Sequence, residues 1–449
     1  MKKLLLSLLS LTVFQNHAQE CAASVVHSDN SVTVLLGNGQ RYSWGLNQFG
    51  QLGNGTLTAV TVPTLTVDDG TWADIRHARM HSIGLKTDGT IWAWGNNELG
   101  QLGNSSMPSS VVPVQVGIDT DWVEISAGNL HSIAKKADGT LWGWGNNGAY
   151  ELMPGTTSFY STPIQISADT DWAVIHAGYF KTVCIKNDGT LWGRGRNNFG
   201  DVGVFGQATV FTQVGTDNDW AHISGARSAA SLALKTDGTL WAWGWNENGR
   251  LGDGTTTDRS TPVQIGTDQW LDVSSGNFHS IGIKQDGTLW QWGSYGWIDG
   301  GMMIPNYHSP NQVGTDNDWT AVSAGYSSSF AMKDDSTLWA WGFNGGGWLG
   351  DGTTTSTPIP FPVIECSPLN QGEFAANELT LYPNPVANVL HWNSSGTIAK
   401  AEIFNLLGQK VKLAENHSQI DVSQLQAGVY VIILTSQDEK VLKGKFIKE

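Results

Sequence analysis

The stretch Lys235-Thr236-Asp237-Gly238-Thr239-Leu240-Trp241-Ala242-Trp243-Gly244 decides the fold. Asp-Gly between two apolar runs signals a hairpin, with a type I′ turn as its natural reading. The alternation Leu-Trp-Ala-Trp-Gly places both indoles on one face of a strand. The same signature returns along the chain, with Trp-Gly pairs at Trp44, Trp94, Trp144, Trp243, Trp292 and Trp341, and Arg194-Gly195 in the one remaining slot. The spacings are 50, 50, 50, 49, 49 and 49 residues, so seven units follow one another without a gap.

Each unit opens on Asp-Trp and an apolar pair, as at Asp121-Trp122, and continues through Ala-Gly to His-Ser-Ile, as at His131-Ser132-Ile133. After the hairpin comes a Gly-rich stretch such as Leu251-Gly252-Asp253-Gly254, then a short Pro-led segment such as Pro262-Val263-Gln264-Ile265. That is about four short strands per unit. One such sheet cannot bury both faces alone, so neighbours must stack, and radial stacking gives a β-propeller. Composition agrees: 54 Gly and 22 Trp among 449 residues, with only 14% charged, suit many short strands joined by tight turns.

The residues of the repeat, Ala-Gly-x-x-His-Ser through Asp-Gly-x-(Leu/Ile)-Trp-x-Trp-Gly to Gly-x-Leu-Gly, resemble the regulator of chromosome condensation repeat. That resemblance implies a seven-bladed propeller over residues 21–366. It says little about function. The family's nucleotide-exchange activity does not lie in the repeat motif, so none of its residues transfer.

Two segments flank the repeats. Residues 1–18 read as a signal peptide, with Lys2 and Lys3 before the apolar run Leu4 to Phe14 and a small residue, Ala18, at the end. That run is too short to span a bilayer, and no later one matches it, so no transmembrane segment is expected. Residues 367–377 read as a polar linker, and 378–449 as alternating strands of a small β-sandwich. This tail resembles the type A C-terminal sorting domain of the bacterial type IX secretion system. Tyr382-Pro383-Asn384-Pro385 matches its opening motif, Asn405 to Gln409 its central turn, Gly428 and Tyr430 its Gly-x-Tyr strand, and Lys445 with Phe446-Ile447-Lys448 its ending. The resemblance implies contact of 378–449 with the secretion machinery, and a secreted or cell-surface protein.

The net charge of −15 belongs to the repeats, because 378–449 carry seven acidic and seven basic side chains. So acidic a propeller repels phosphate backbones, which argues against nucleic acid as a partner.

No catalytic motif appears, and the expectation is a monomeric binding scaffold without a cofactor, its ligand a protein or a glycan. A polysaccharide hydrolase or lyase using acids at the propeller mouth is the alternative. His81, His131 and His279 fall in units two, three and six, too far apart on a ring to share a metal, and read as structural hydrogen-bonders within their blades. The Asp-x-Asp pairs, such as Asp119/Asp121, read as turn caps and not as calcium ligands. Function is expected where units depart from the pattern: Trp245, Trp297, Phe343 and Trp348 stand where other units carry Asn, Gln or Leu, and read either as an exposed aromatic patch for a protein or glycan or as packing between blades.

Cys184 takes a position held by Gly84 and reads as a small buried filler. Cys21 and Cys366 are 345 residues apart, seven repeats, so a closed ring brings them to one seam. The expected Cys21–Cys366 disulfide suits an oxidising compartment. Alkylation in denaturant followed by intact mass should show one adduct, on Cys184, and three after reduction. Three adducts without reductant would disprove the bridge.

Overall fold

The computed structural model describes residues 22–364 and 379–449, apart from 29–30, 38, 67–70, 106–107, 226–228, 295–296, 299–301, 304–305, 395–397, 405–409, 416–418 and 437–440. Cys21, Cys366, the signal segment, the linker and the 405–409 turn lie outside them. The chain divides into two compact units, Gln19–Cys366 and one holding Ser367–Glu449.

The first unit is all β, with no helix among the described residues. Its strands fall into antiparallel meanders of four, each continuous in sequence. Blade one, for example, is Ala22–His27, Ser31–Leu36, Arg41–Gly45 and Val60–Thr66, in that order from inside to outside. Six further sets follow. The strand Arg259–Ser275 serves two of them, as the outermost strand of blade five and the innermost of blade six.

The hairpin between second and third strands is not the type I′ turn expected. In blade two the Gly89 N–H donates to the Lys86 carbonyl at 3.0 Å, and only Gly89 has positive φ, at +79°. This is a type I turn closed by a glycine bulge. Thr90 explains the choice: Asp88 Oδ1 accepts from its N–H at 2.9 Å and from its hydroxyl at 2.6 Å, anchoring the residue that follows the glycine. Thr90 Oγ1 then accepts from Trp92 Nε1 at 3.0 Å.

Blades are joined chiefly by their buried tryptophans. Trp94 Nε1 donates to the Gln51 carbonyl of blade one at 2.8 Å, and Trp144 Nε1 to the Gln101 carbonyl of blade two at 2.9 Å. Trp44 Nε1 donates to the Trp348 carbonyl at 2.9 Å, which links the last blade to the first. Around that seam Val32, Val34 and Trp44 pack with Phe330, Met332 and Leu349. Among the described residues no blade borrows a strand from the other end of the chain, and there the seam is held by such side-chain contacts.

The second unit pairs Leu379–Tyr382, Val389–Ser394 and Gln419–Asp421 in one sheet. Lys410–Glu415, Ile398–Phe404, Gly428–Ser436 and Val441–Lys448 form another. Leu390, Trp392, Ile403, Ile432 and Phe446 fill the core between them. The opening motif meets the chain end: Asn384 Oδ1 accepts from the Ile447 N–H at 2.8 Å, and the Tyr430 hydroxyl donates to the Gln426 carbonyl at 3.0 Å.

Trp44→Phe removes the indole donor at the seam, leaves the Trp348 carbonyl buried and opens a cavity. Together these should cost about 2–4 kcal/mol. The full chain should show that loss as a lower denaturant midpoint, and an unchanged midpoint would count against a side-chain-closed ring.

Candidate functional site

The seven innermost strands surround a central channel, a cavity of about 410 Å³ lined by Arg76, Glu124, His176, His222, Asp272 and several serines, among others. Each of these strands leaves one edge unpaired toward the channel, a costly arrangement for its N–H groups. The preceding blade supplies partners. Glu124 Oε1 accepts from Ile175 N–H at 3.1 Å, Ser126 Oγ from Ala177 N–H at 2.9 Å, Asp272 Oδ2 from Val322 N–H at 3.0 Å and Ser274 Oγ from Ala324 N–H at 2.9 Å. Glu124 also meets Lys135 Nζ at 2.5 Å, and Asp74 meets Arg76 Nε at 3.1 Å. Burial raises the pKa of Asp74 and Asp272. The channel therefore does hold a convergence of Asp, Glu and His, but both of its lining acids, Glu124 and Asp272, cap backbone edges.

Strand direction gives the propeller two chemically different faces. The Asp-Gly turns and the links between blades lie on one. There Lys136 Nζ bridges Asp119 at 2.7 Å and Asp121 at 3.1 Å while lying over the rings of Trp122 and Trp142. Lys186, Lys235 and Lys333 repeat the arrangement. The Asp-x-Asp pairs are thus lysine clamps and not turn caps. Among the described residues no His, Cys, Asp and Glu group of three or more is arranged to hold a metal ion.

The opposite face carries the turns between first and second strands and the loops after Trp-Gly. Beneath it the histidines act between blades, not within them as expected. His81 Nε2 lies 2.9 Å from Ser132 Oγ of the next blade, and that hydroxyl donates to the Gln101 carbonyl at 3.2 Å. The serine proton is thereby used, so His81 donates from Nε2. His131 repeats this with Thr182 and His279 meets Ser329. Gly128 leaves room for the arrangement, because a Cβ there would lie 2.4 Å from His131 Cε1.

Two departures in blade four belong with this scaffold. Lys181 replaces the histidine and donates to the Asp201 carbonyl at 3.0 Å, the Ala230 carbonyl at 3.1 Å and Ser231 Oγ at 2.7 Å. Asp201 stands where blades one and two have Gln51 and Gln101, so an acid accompanies the new cation. Arg194, replacing the tryptophan, donates to the Tyr150 and Thr209 carbonyls at 3.0 and 2.8 Å, and Glu151 supplies its counter-charge. Burial lowers the Lys181 pKa to about 8. Cys184 is buried as expected, its thiol pushed up to about 12.

The four-residue aromatic patch is not exposed as a unit. Trp348 is only 7% accessible, because its backbone forms the seam and Phe343 packs on its ring at 5.2 Å between centroids. Trp245 lies within a stack: Phe199 is 5.3 Å away at 24°, and the Arg250 guanidinium is 3.9 Å from the Trp245 ring. The Trp297 side chain lies outside the described residues. What surfaces instead is a row that sequence reading missed. Arg250 also lies 5.5 Å from Phe278, and Phe278 meets Tyr326 edge-on at 5.0 Å. In blade four, Arg196 lies 4.6 Å from the Tyr179 ring and 4.9 Å from Phe180. Tyr179, Phe199 and Phe278 are half-buried and Tyr326 is exposed. For Tyr179, Phe278 and Tyr326 the signal was the turn between first and second strands, where blades two and three carry Arg79-Met80 and Asn129-Leu130, whereas Phe199 follows the Arg194-Gly195 slot as Phe49 follows Trp44-Gly45.

Meanders stacked around a channel, joined through tryptophan-glycine strands and followed by a separate sandwich, define a β-propeller with a C-terminal appendage. A family model described as the RCC1-like domain matches residues 73–376, and the chain belongs to that family. The regulator of chromosome condensation (RCC1) repeat model matches 38–85, and a secretion system C-terminal sorting domain matches 380–449. This type IX sorting tail marks the protein as secreted or attached at the bacterial cell surface. Human WBSCR16 is similar in structure, with a TM-score of 0.65 and 18% identity over 73% of this chain and 94% of that one. Saccharomyces cerevisiae Prp20p gives 0.65 and 17% over 82% and 90%. These likenesses show the fold. No curated protein sequence matches the chain.

His81, His131 and His279 are held neutral by burial, each with its pKa lowered to about 3. The unfolded chain binds their protons below pH ~6.5 while the folded one does not, so stability falls with pH from there toward 3, by up to about 1.4 kcal/mol per unit per histidine. Replacing all three with Gln should flatten the fall of the denaturant midpoint between pH 6.5 and 4.5. An unchanged slope would assign the loss elsewhere.

Proposed function

We propose that this protein is a cell-surface binding scaffold whose ligand, a protein or a glycan, docks on the face formed by the first turns and the loops after Trp-Gly in blades four to seven. One observation carries the reading: Phe199, Trp245, Arg250, Phe278 and Tyr326 connect across those four blades, with Phe278 and Tyr326 in turns where blades two and three carry Arg79-Met80 and Asn129-Leu130. Aromatic and arginine side chains are the usual energetic anchors of recognition surfaces. The hydrolase or lyase reading would draw on Glu124, His222 and Asp272 in the channel, where His222 Nε2 lies 4.0 Å from Asp272. Backbone capping by Glu124 and Asp272 favours a structural use of these acids.

Purified protein applied to intact cells of the producing bacterium, and to their isolated surface polysaccharide, should bind about tenfold or more weakly once Phe278 and Tyr326 are both changed to Ser, with the thermal midpoint unmoved. Equal binding by the double variant would refute the assigned face. New reducing ends in the polysaccharide, lost in Asp272→Asn, would establish the catalytic reading instead.

A further inference from the structure

The propeller is acidic, yet its described cations are largely neutralised in pairs. Lys136, Lys186, Lys235, Lys284 and Lys333 sit on aspartates, Lys135 on Glu124, Arg76 on Asp74 and Arg259 on Asp253. Arg196 and Arg250 differ. Among the described residues neither has a carboxylate oxygen within 4 Å, and both lie against aromatic rings in adjacent blades of the same face. Arg250 is fully covered. It donates to the Asn277 carbonyl at 2.5 Å, while its Nε and Nη2 have no hydrogen-bond partner. Arg196 is half-buried, and its Nε is also without a partner. Glu247 and Asp258 offset the Arg250 charge, and Asp201 acts on Arg196 from beyond contact distance, so the half-exposed Arg196 is the cation of the two that makes no contact ion pair and still reaches solvent. Ring stacking occupies the flat sides of a guanidinium and leaves its edge donors, the geometry that binds carboxylates in two-point fashion.

We infer that Arg196, on its Tyr179–Phe180 bed, contacts the carboxylate of a uronate-bearing polysaccharide. The inference rests on the docking face proposed above and specifies its ligand class. A glycan fits better than an acidic peptide because partly exposed aromatic planes recur along the rim at Tyr179, Phe199, Phe278 and Tyr326. Such planes match the apolar faces of successive pyranose rings, and a repeating polymer presents a carboxylate beside each. Acids stand on this face as well, at Asp201, Glu247, Asp253 and Asp258 in the loops after Trp-Gly, so attraction depends on contact at Arg196 and not on the net charge of the face.

Titrate the full-length protein with polygalacturonate, with dextran as the neutral control and poly-glutamate as the acidic-peptide control. Polygalacturonate should bind, weaken as salt is raised, and bind about tenfold or more weakly to Arg196→Met, which keeps the stacking volume without the charge. Arg196→Lys, which retains charge but not the planar fork, should recover part of the loss. Thermal midpoints verify that both variants fold, and should Arg196→Met fail to fold, Arg196→Gln takes its place. Binding of poly-glutamate but not polygalacturonate would overturn the glycan class. Polygalacturonate binding indifferent to Arg196, or no binding of either polyanion, would overturn the anion site. In those cases, continued loss of cell-surface binding on changing Phe278 and Tyr326 would leave the docking face standing, whereas retained binding would remove both readings.

Discussion

The indole N–H of a buried tryptophan reaching a backbone carbonyl in the preceding blade, as at Trp44, Trp94, Trp144 and Trp292, is the interaction on which most of this ring depends. A four-stranded blade has two apolar faces and an unpaired inner edge, and it cannot satisfy either alone. The tryptophan settles the first problem, filling the interface with its ring while its Nε1 finds the loop carbonyl, as Trp94 does at Gln51 and Trp44 at Trp348. Ser82 Oγ donates to that same Gln51 carbonyl at 2.9 Å, so a single acceptor collects two donors of the next blade. Glu124, Ser126, Asp272 and Ser274 settle the second problem, each giving an oxygen to the neighbour's inner edge. Every bond that defines the ring is therefore a bond between units.

That fact separates what was legible in the sequence from what was not. A repeat of 49–50 residues fixes strand number, strand order and the position of each hairpin, because those depend on local alternation and turn chemistry. It does not say which residue of one unit touches which of the next. The histidines were accordingly read as hydrogen-bonding within their own blades, although His81 reaches Ser132 some fifty residues on. The Asp-x-Asp pairs looked like turn caps because Lys136 stands fifteen or more residues away from them in sequence. The hairpin was misread for a nearer reason, since the side chain of Asp88 holding Thr90 outweighed the usual preference of Asp-Gly.

Departures from the repeat show the same limit. Read one at a time, Arg194, Glu151, Lys181 and Asp201 all look like candidate functional residues. Read across adjacent units they are two compensated substitutions, a cation for each lost tryptophan or histidine and an acid for a glutamine beside it. A buried charge left without a partner is strongly destabilising, so neither half is tolerable without the other. The patch of Trp245, Phe343 and Trp348 fails similarly: an aromatic in a loop is as well suited to bridging blades as to meeting solvent, and only burial distinguishes the two uses.

The same accounting isolates what remains. Among the described residues Arg196 makes no contact ion pair, and the rings of Tyr179, Phe278 and Tyr326 belong to none of the tryptophan-to-carbonyl links. Packing explains part of this residue, since Arg196 covers Phe180 and Phe278 covers Arg250. It does not explain why blades two and three close the same turn with Arg79-Met80 and Asn129-Leu130 and lose nothing in register or depth of burial. A scaffold whose closure lies between tryptophans and carbonyls leaves its turn residues free to vary. In such a ring, the proposed docking face in blades four to seven takes its support from aromatic and cationic side chains gathered on turns and loops that closure leaves free.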